Sequence, residues 1–209
     1  MRSKPRIVIV GPGSLGNALA LSLHGKGYVV SEMVVKGVAN RKTKALAAKL
    51  GARVSTMVAP ELAAEVLWLC VPDRAIASCA KKIAGAASTP GIAFHSSGAL
   101  SSDELEPLRR KGASVASVHP LMTFVPGSRP TLTGVPFAVE GDSAAVREAR
   151  AIIRNLGGRA FPIAKRSKAA YHAWGAFASP LLIAALVTAE QVAAAAGIST
   201  PRARKMMLP

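Results

Sequence analysis

Apolar residues fall in short runs separated by amphipathic stretches, and this alternation sets the expected architecture. Ile7–Val10 is a continuous apolar run, the pattern of a strand buried on both faces, and Ser14–His24 follows with helical spacing of its apolar positions. Further runs at Val29–Val30 with Met33–Ala39, Val66–Val71, Gly91–Phe94, Ala113–Val118, Val135–Glu140 and Ala160–Ile163 predict strands. Between them, Arg41–Leu50, the segment through Ile76 and Ile83, and Ser143–Leu156 predict helices, the last stopped by Gly157-Gly158. Strands that alternate with helices define an α/β fold with a doubly wound, mostly parallel sheet. From Lys165 the pattern changes, because Ala169–Val187 is almost uncharged and Gln191–Ala196 continues it to a stop at Gly197. The expected division is 1–164 for the α/β domain and 165–209 for a short helical segment. Ser199-Thr200-Pro201 opens another helix shortly before Pro209.

The first strand breaks into G-x-G-x-x-G at Gly11, Gly13 and Gly16. Strand before and helix after make this the Rossmann fingerprint in its proper setting. Gly11 is expected to turn the chain, Gly13 to let the backbone approach a pyrophosphate, and Gly16 to let helix and sheet pack closely. The amides of Ser14, Leu15 and Gly16 then offer an anion the positive end of a helix.

The end of the second strand carries cofactor preference. An NAD site usually has an acidic residue there for the ribose hydroxyls, whereas this chain reads Asn40-Arg41-Lys42-Thr43-Lys44. A guanidinium suits a 2′-phosphate that a carboxylate would repel, so Asn40, Arg41 and Thr43 point to NADP(H). Other polar groups follow strand ends. Val71 and Pro72 are placed beside the cofactor, Asp73 is expected to cap the next helix, and His95-Ser96-Ser97 and His119-Pro120 face one crevice. His95 is assigned to cofactor binding; His119 and Ser97 are candidates to orient a substrate or exchange a proton. No nucleophile-elbow sequence surrounds Ser96 and Ser97, which removes the usual argument for hydrolase chemistry.

Composition narrows the classes. Two cysteines, Cys70 and Cys79, in 209 residues suggest a reducing compartment, the cytoplasm by default, and no metal site is expected. The net charge of +16 is spread over many helices with few aromatics between, so a dedicated nucleic-acid surface is not expected, while an anionic substrate is accommodated. The apolar C-terminal stretch approaches membrane-spanning length, yet Ser179-Pro180 and its many small residues favour a helix packed between two copies of the chain.

Taken in order, Gly11-Pro12-Gly13-Ser14-Leu15-Gly16, Val71-Pro72-Asp73, His95-Ser96-Ser97-Gly98, His119-Pro120-Leu121 and Tyr171-His172-Ala173 resemble a known group. The chain is similar to bacterial Rossmann-like proteins with a helical domain of unknown function, relatives of pyrroline-5-carboxylate reductase, deazaflavin-dependent NADP oxidoreductase and the 6-phosphogluconate dehydrogenase-like superfamily. The resemblance implies an N-terminal NADP-binding domain, a C-terminal helical dimerisation domain, against which residues 165–209 read as incomplete, and an active site between the two. It also implies that the first long helix of the second domain faces the nicotinamide, which makes Lys168 and His172, four residues apart, candidate proton donors. Where related sequences carry Ala-Ser-Asn, this one has Ala178-Ser179-Pro180, so a polar contact is lost and the helix is expected to kink.

The expectation is therefore an NADP(H)-dependent oxidoreductase transferring hydride to or from a small carbonyl or imine substrate. The alternative is a module that binds or senses NADP(H) without turnover.

Overall fold

The structure is a computed structural model that describes residues 3–128 and 130–207. The chain end at Pro209 lies outside them. Contacts divide the chain into two compact units, Met1–Lys168 and Ala169–Pro209.

The first unit is built on an eight-stranded sheet of order β3-β2-β1-β4-β5-β6-β7-β8. Its strands are β1 (Ile7–Val10), β2 (Val30–Val35), β3 (Arg53–Thr56), β4 (Val66–Leu69), β5 (Ile92–His95), β6 (Ser114–Pro120), β7 (Pro136–Gly141) and β8 (Arg159–Pro162). Neighbouring strands from β3 through β6 pair parallel, β7 runs antiparallel to β6, and β8 runs parallel to β7. The connecting helices are α1 (Ser14–Gly25), α2 (Arg41–Leu50), α3 (Asp73–Ala84), the single turn α4 (Glu106–Arg109) and α5 (Ser143–Asn155).

Strand periodicity explains the layering. In β1, Ile7 and Ile9 enter one core with Leu19 and Leu23 of α1, Ala47 and Leu50 of α2, and Ile152 and Ile153 of α5. Val8 and Val10 point the other way, into a core with Ile76, Ala80 and Ile83 of α3 and Leu108 of α4. A four-residue strand buried on both faces must be apolar throughout, because successive side chains alternate between the two cores. The order reverses between β1 and β4, so the carboxyl ends of these strands open a crevice at the switch point.

Two expectations are corrected here. The second strand ends at Val35 and does not continue to Ala39; residues 36–38 form a bend in which Val38 is 95% exposed. Valine and alanine composition suggested a strand, but after Val35 no core remains for these side chains to enter. Conversely, β3 was not expected, because Arg-Val-Ser-Thr carries one apolar residue; it forms by pairing with β2 at the sheet edge.

The second unit comprises nearly all of α6 (Lys168–Ala176), a π-helical stretch Phe177–Leu181, α7 (Leu182–Ala195) and α8 (Thr200–Met207). Pro180 lies inside the π-helical stretch, which absorbs the hydrogen bond that proline cannot make. Gly197, at φ +80°, ends the helical run. A bidentate pair from Arg204 to Glu190 joins α8 to α7 at 2.6 and 3.1 Å. By length and composition Lys165–Ala195 is apolar enough to cross a membrane, and α7 has no buried residue.

Candidate functional site

The carboxyl end of β1 leads directly into the glycine turn. Gly11 adopts φ +84°, and its N–H donates to Val34 O of β2 at 2.9 Å. A β-carbon here would lie 2.9 Å from Cys70 O and 2.8 Å from Val71 Cγ1, so both backbone angle and space demand glycine. A β-carbon on Gly16 would lie 2.5 Å from Gly11 O, which is what lets α1 start against the strand end. Gly13 is different. A β-carbon there would meet nothing within 4 Å, so the protein does not need glycine at this position for its own packing.

Gly13 is also the N-cap of α1, and it supplies no side-chain bond to the helix. No acidic residue occupies the first turn. The N–H groups of Ser14, Leu15 and Gly16 therefore lack a side-chain cap, and the helix end carries uncompensated positive character. Open space at Gly13 above an uncapped helix end fits a phosphate group.

At the end of β2, Asn40 Oδ1 accepts from Thr43 N at 2.8 Å, making Asn40 the N-cap of α2. Thr43 is only 4% exposed. Arg41 and Lys42 are exposed and form no ion pair among the described residues. Lys36, which the apolar pattern places inside the second strand, is exposed immediately after β2. Its signal was a cation directly following Met33-Val34-Val35.

The ends of β4, β5 and β6 carry a buried polar network. Asp73 was expected to cap α3, but it is the first helical residue, and Pro72 holds the cap position without a side-chain bond. The Asp73 carboxylate instead accepts from Ser97 Oγ at 2.8 Å. Ser97 Oγ in turn accepts from Ala99 N at 3.2 Å and Leu100 N at 2.9 Å, which fixes the turn after β5. Lys168, 1% exposed, donates to Ser97 O at 2.9 Å and to Ser117 Oγ. Ser117 also donates to Ser97 O at 3.2 Å. Burial draws the Lys168 ammonium down to about 8, against the opposing pull of the Glu140 and Asp73 carboxylates.

His95 is fully buried, and both ring nitrogens are engaged. Nε2 donates to Ser101 O at 2.9 Å and Nδ1 accepts from Ser97 N at 3.1 Å. A carbonyl acceptor on one side and an amide donor on the other select the neutral tautomer. Burial lowers its pKa to about 4. The imidazole thus holds the turn, and the expected cofactor contact is corrected: a fully buried His95 with both ring nitrogens engaged has none to offer a ligand. Glu140 completes the support: its carboxylate accepts from Ser102 N at 2.6 Å and Ser102 Oγ at 2.9 Å.

The network thus gathers Ser97, Lys168 and His95 from the expected set and adds Asp73, Ser117, Glu140 and Ser102. His119 lies in β6 opposite Ala138 of β7 and is half-buried. His172 is exposed on α6, in the second unit. Cys70 and Cys79 are free thiols, and burial pushes both upward in pKa. Among the described residues no cluster of three or more His, Cys, Asp or Glu could hold a metal ion.

The switch point, the glycine turn and the doubly wound sheet define a Rossmann-type α/β protein. The chain belongs to the Rossmann-like domain family, whose model matches residues 2–120, and residues 135–209 match DUF2520, a domain of unknown function. No curated protein matches it in sequence. Among solved structures it is similar to a proposed NADP oxidoreductase from Bacteroides fragilis, with TM-score 0.77 and 17% identity over 95% of this chain and 75% of that one. It is also similar to pyrroline-5-carboxylate reductase from Coxiella burnetii, with TM-score 0.69 and 13% identity over 98% and 76% of the two chains. An imine reductase variant from Myxococcus stipitatus, in complex with NAD+, gives TM-score 0.70 and 16% identity over 98% and 71%. At these identities the likeness is one of fold.

Proposed function

We propose that the first unit binds NADP(H) at the glycine turn and that the protein is an oxidoreductase moving hydride to or from a small carbonyl or imine substrate. The observation that carries this reading is the open space at Gly13 over the uncapped start of α1. The neighbours of like fold, an NADP oxidoreductase, a pyrroline-5-carboxylate reductase and an imine reductase, support it. When bound, the cofactor supplies the hydride chemistry.

The chain's own residues bind and orient. Gly11, Gly13, Ser14, Leu15 and Gly16 receive the pyrophosphate, and Val71 and Pro72 flank the crevice. Arg41, with Lys36 and Asn40, receives the 2′-phosphate, since no carboxylate stands there to repel it. Thr43 adds little, because it is buried and its N–H is already bound to Asn40. Ser97, a candidate to orient the substrate, is buried with its hydroxyl bound to Asp73, Ala99 and Leu100 and its carbonyl to Lys168 and Ser117, so it holds the turn after β5 and leaves no group for a substrate. Lys168 holds a proton at neutral pH, but its Nζ must leave Ser97 O or Ser117 Oγ to deliver it. His119 and His172 complete the set of proton-exchanging candidates. The positive net charge suits an anionic substrate, without a dedicated nucleic-acid surface.

Titration with NADPH and NADH tests the site, and Arg41→Ala and Lys36→Ala test the phosphate contact. NADPH is expected to bind at least about tenfold more tightly than NADH, with the preference reduced in both variants. Equal affinities in the parent would overturn the NADP assignment. NADPH oxidation across a panel of carbonyl and imine compounds then separates an enzyme from a module that only binds the cofactor.

A further inference from the structure

An open cavity of about 600 Å³ lies at the amino ends of the parallel strands, the edge of the sheet opposite the glycine turn. It is bounded by the chain entering β1, by the first residues of β4 and β5 at Val66 and Ile92, and by one face of α5. Four charged side chains line it: Lys4, Glu65, Arg147 and Glu148. Among the described residues none of them takes part in an ion pair.

Two of the four have other work. Lys4 donates to Lys26 O and sits 5.2 Å from the Tyr28 ring centroid, so its ammonium is held at the wall. Glu65 uses one carboxylate oxygen to accept from Arg6 N at 2.7 Å and keeps the other. Arg147 and Glu148 have no hydrogen-bond partner among the described side chains. Tyr28 lines the cavity and is almost fully buried; its oxygen accepts from Asn155 Nδ2 at 2.6 Å. Opposite charges that line one concave space without pairing, beside apolar Val66 and Ile92, suit a ligand with both charges and an aliphatic body.

We propose that this cavity binds a small zwitterion of the α-amino acid class with a neutral side chain, its carboxylate on Arg147 and its ammonium on Glu65 and Glu148. A planar guanidinium matches the carboxylate, and the flanking carboxylates match the ammonium. The ligand would touch the start of β4 and β5, the strands whose far ends lead to Val71 and His95. The site is independent of the dinucleotide reading.

Isothermal titration of the full chain with L-leucine tests it, alongside two half-probes: 4-methylpentanoate, which lacks the ammonium, and 3-methylbutylamine, which lacks the carboxylate. L-leucine is expected to bind saturably, and each half-probe at least tenfold more weakly. Arg147→Gln and Glu148→Gln should each weaken L-leucine at least tenfold, whereas Arg150→Gln, exposed on the same helix and outside the cavity, should bind as the parent does. Absence of saturable L-leucine binding, a half-probe that binds as well, parental affinity in Arg147→Gln, or an equal loss in Arg150→Gln would each overturn the proposal.

Discussion

Lys168 Nζ donates to Ser97 O at 2.9 Å across 71 positions of sequence, tying the start of α6 to the turn after β5. Burial lowers the ammonium from 10.5 to about 8. Below pH 8 the group is protonated whether the chain is folded or unfolded, and its burial cost is constant. Between about pH 8 and 10.5 the unfolded chain keeps a proton that the folded one has lost, so stability rises with pH. The stability difference between parent and Lys168→Met, measured by urea unfolding, should therefore grow in the parent's favour by about 3 kcal/mol across that window. A difference that stays flat with pH would mean that the ammonium is not buried in this network.

His95 gives the opposite limb. Its pKa falls from 6.5 to about 4, so the folded state resists a proton that the unfolded state accepts. The stabilisation is complete above pH 6.5 and is lost as pH falls through about 4. Acid titration of the parent should show this loss, on the order of 3 kcal/mol, and His95→Gln should show a shallower slope over the same range. His95→Gln should also be less stable at pH 7, by about 1–3 kcal/mol, since Ser101 O and Ser97 N lose buried partners.

The three glycines of the turn should separate folding from binding. Gly11→Ala strains a positive φ and meets Cys70 O, and Gly16→Ala meets Gly11 O, so each should lower the unfolding free energy by more than about 1 kcal/mol. Gly13→Ala meets no protein atom, and its φ of −79° suits any residue. Its stability should change by less than about 1 kcal/mol, while NADPH affinity falls at least about tenfold. Thermal melts and fluorescence titration check both, and unchanged NADPH binding in Gly13→Ala would remove the pyrophosphate from this turn.

What could be read from the sequence follows from the range of each interaction. The glycine turn is local: strand, turn and helix lie within Ile7–Gly25, so their pattern is written in adjacent residues. The polar network is not. Ser97 meets Asp73 from 24 positions away and Lys168 from 71, and nothing beside Ser117 in its apolar strand announces a partner. Asp73 misled for a related reason. An acid at the start of a helix has the composition of a cap, and only the path of the turn after β5 shows that its carboxylate is taken by Ser97. At the sheet edge, β3 owes its strand form to pairing with β2 more than to its own residues.

The second unit leaves a defined surface for the last test. Leu181, Leu182, Ile183, Leu186 and Val187 are each about half exposed along α7 and the turn before it, a contiguous apolar face of the kind that marks an interaction surface. A second copy of the chain is the expected cover, because alanines interleaved with these residues allow two helices to approach closely. Sedimentation should find a dimer for the parent. Ile183→Asp and Leu186→Asp each place a charge on that face and should weaken association at least about tenfold, leaving the sheet unit's thermal transition in place. The Arg204–Glu190 pair provides a control: Arg204→Gln loosens α8 from α7 on an exposed flank and should leave the dimer intact. A monomer at all concentrations, or a parent that floats with lipid vesicles while the aspartate variants do not, would replace the second copy with another partner for the same face.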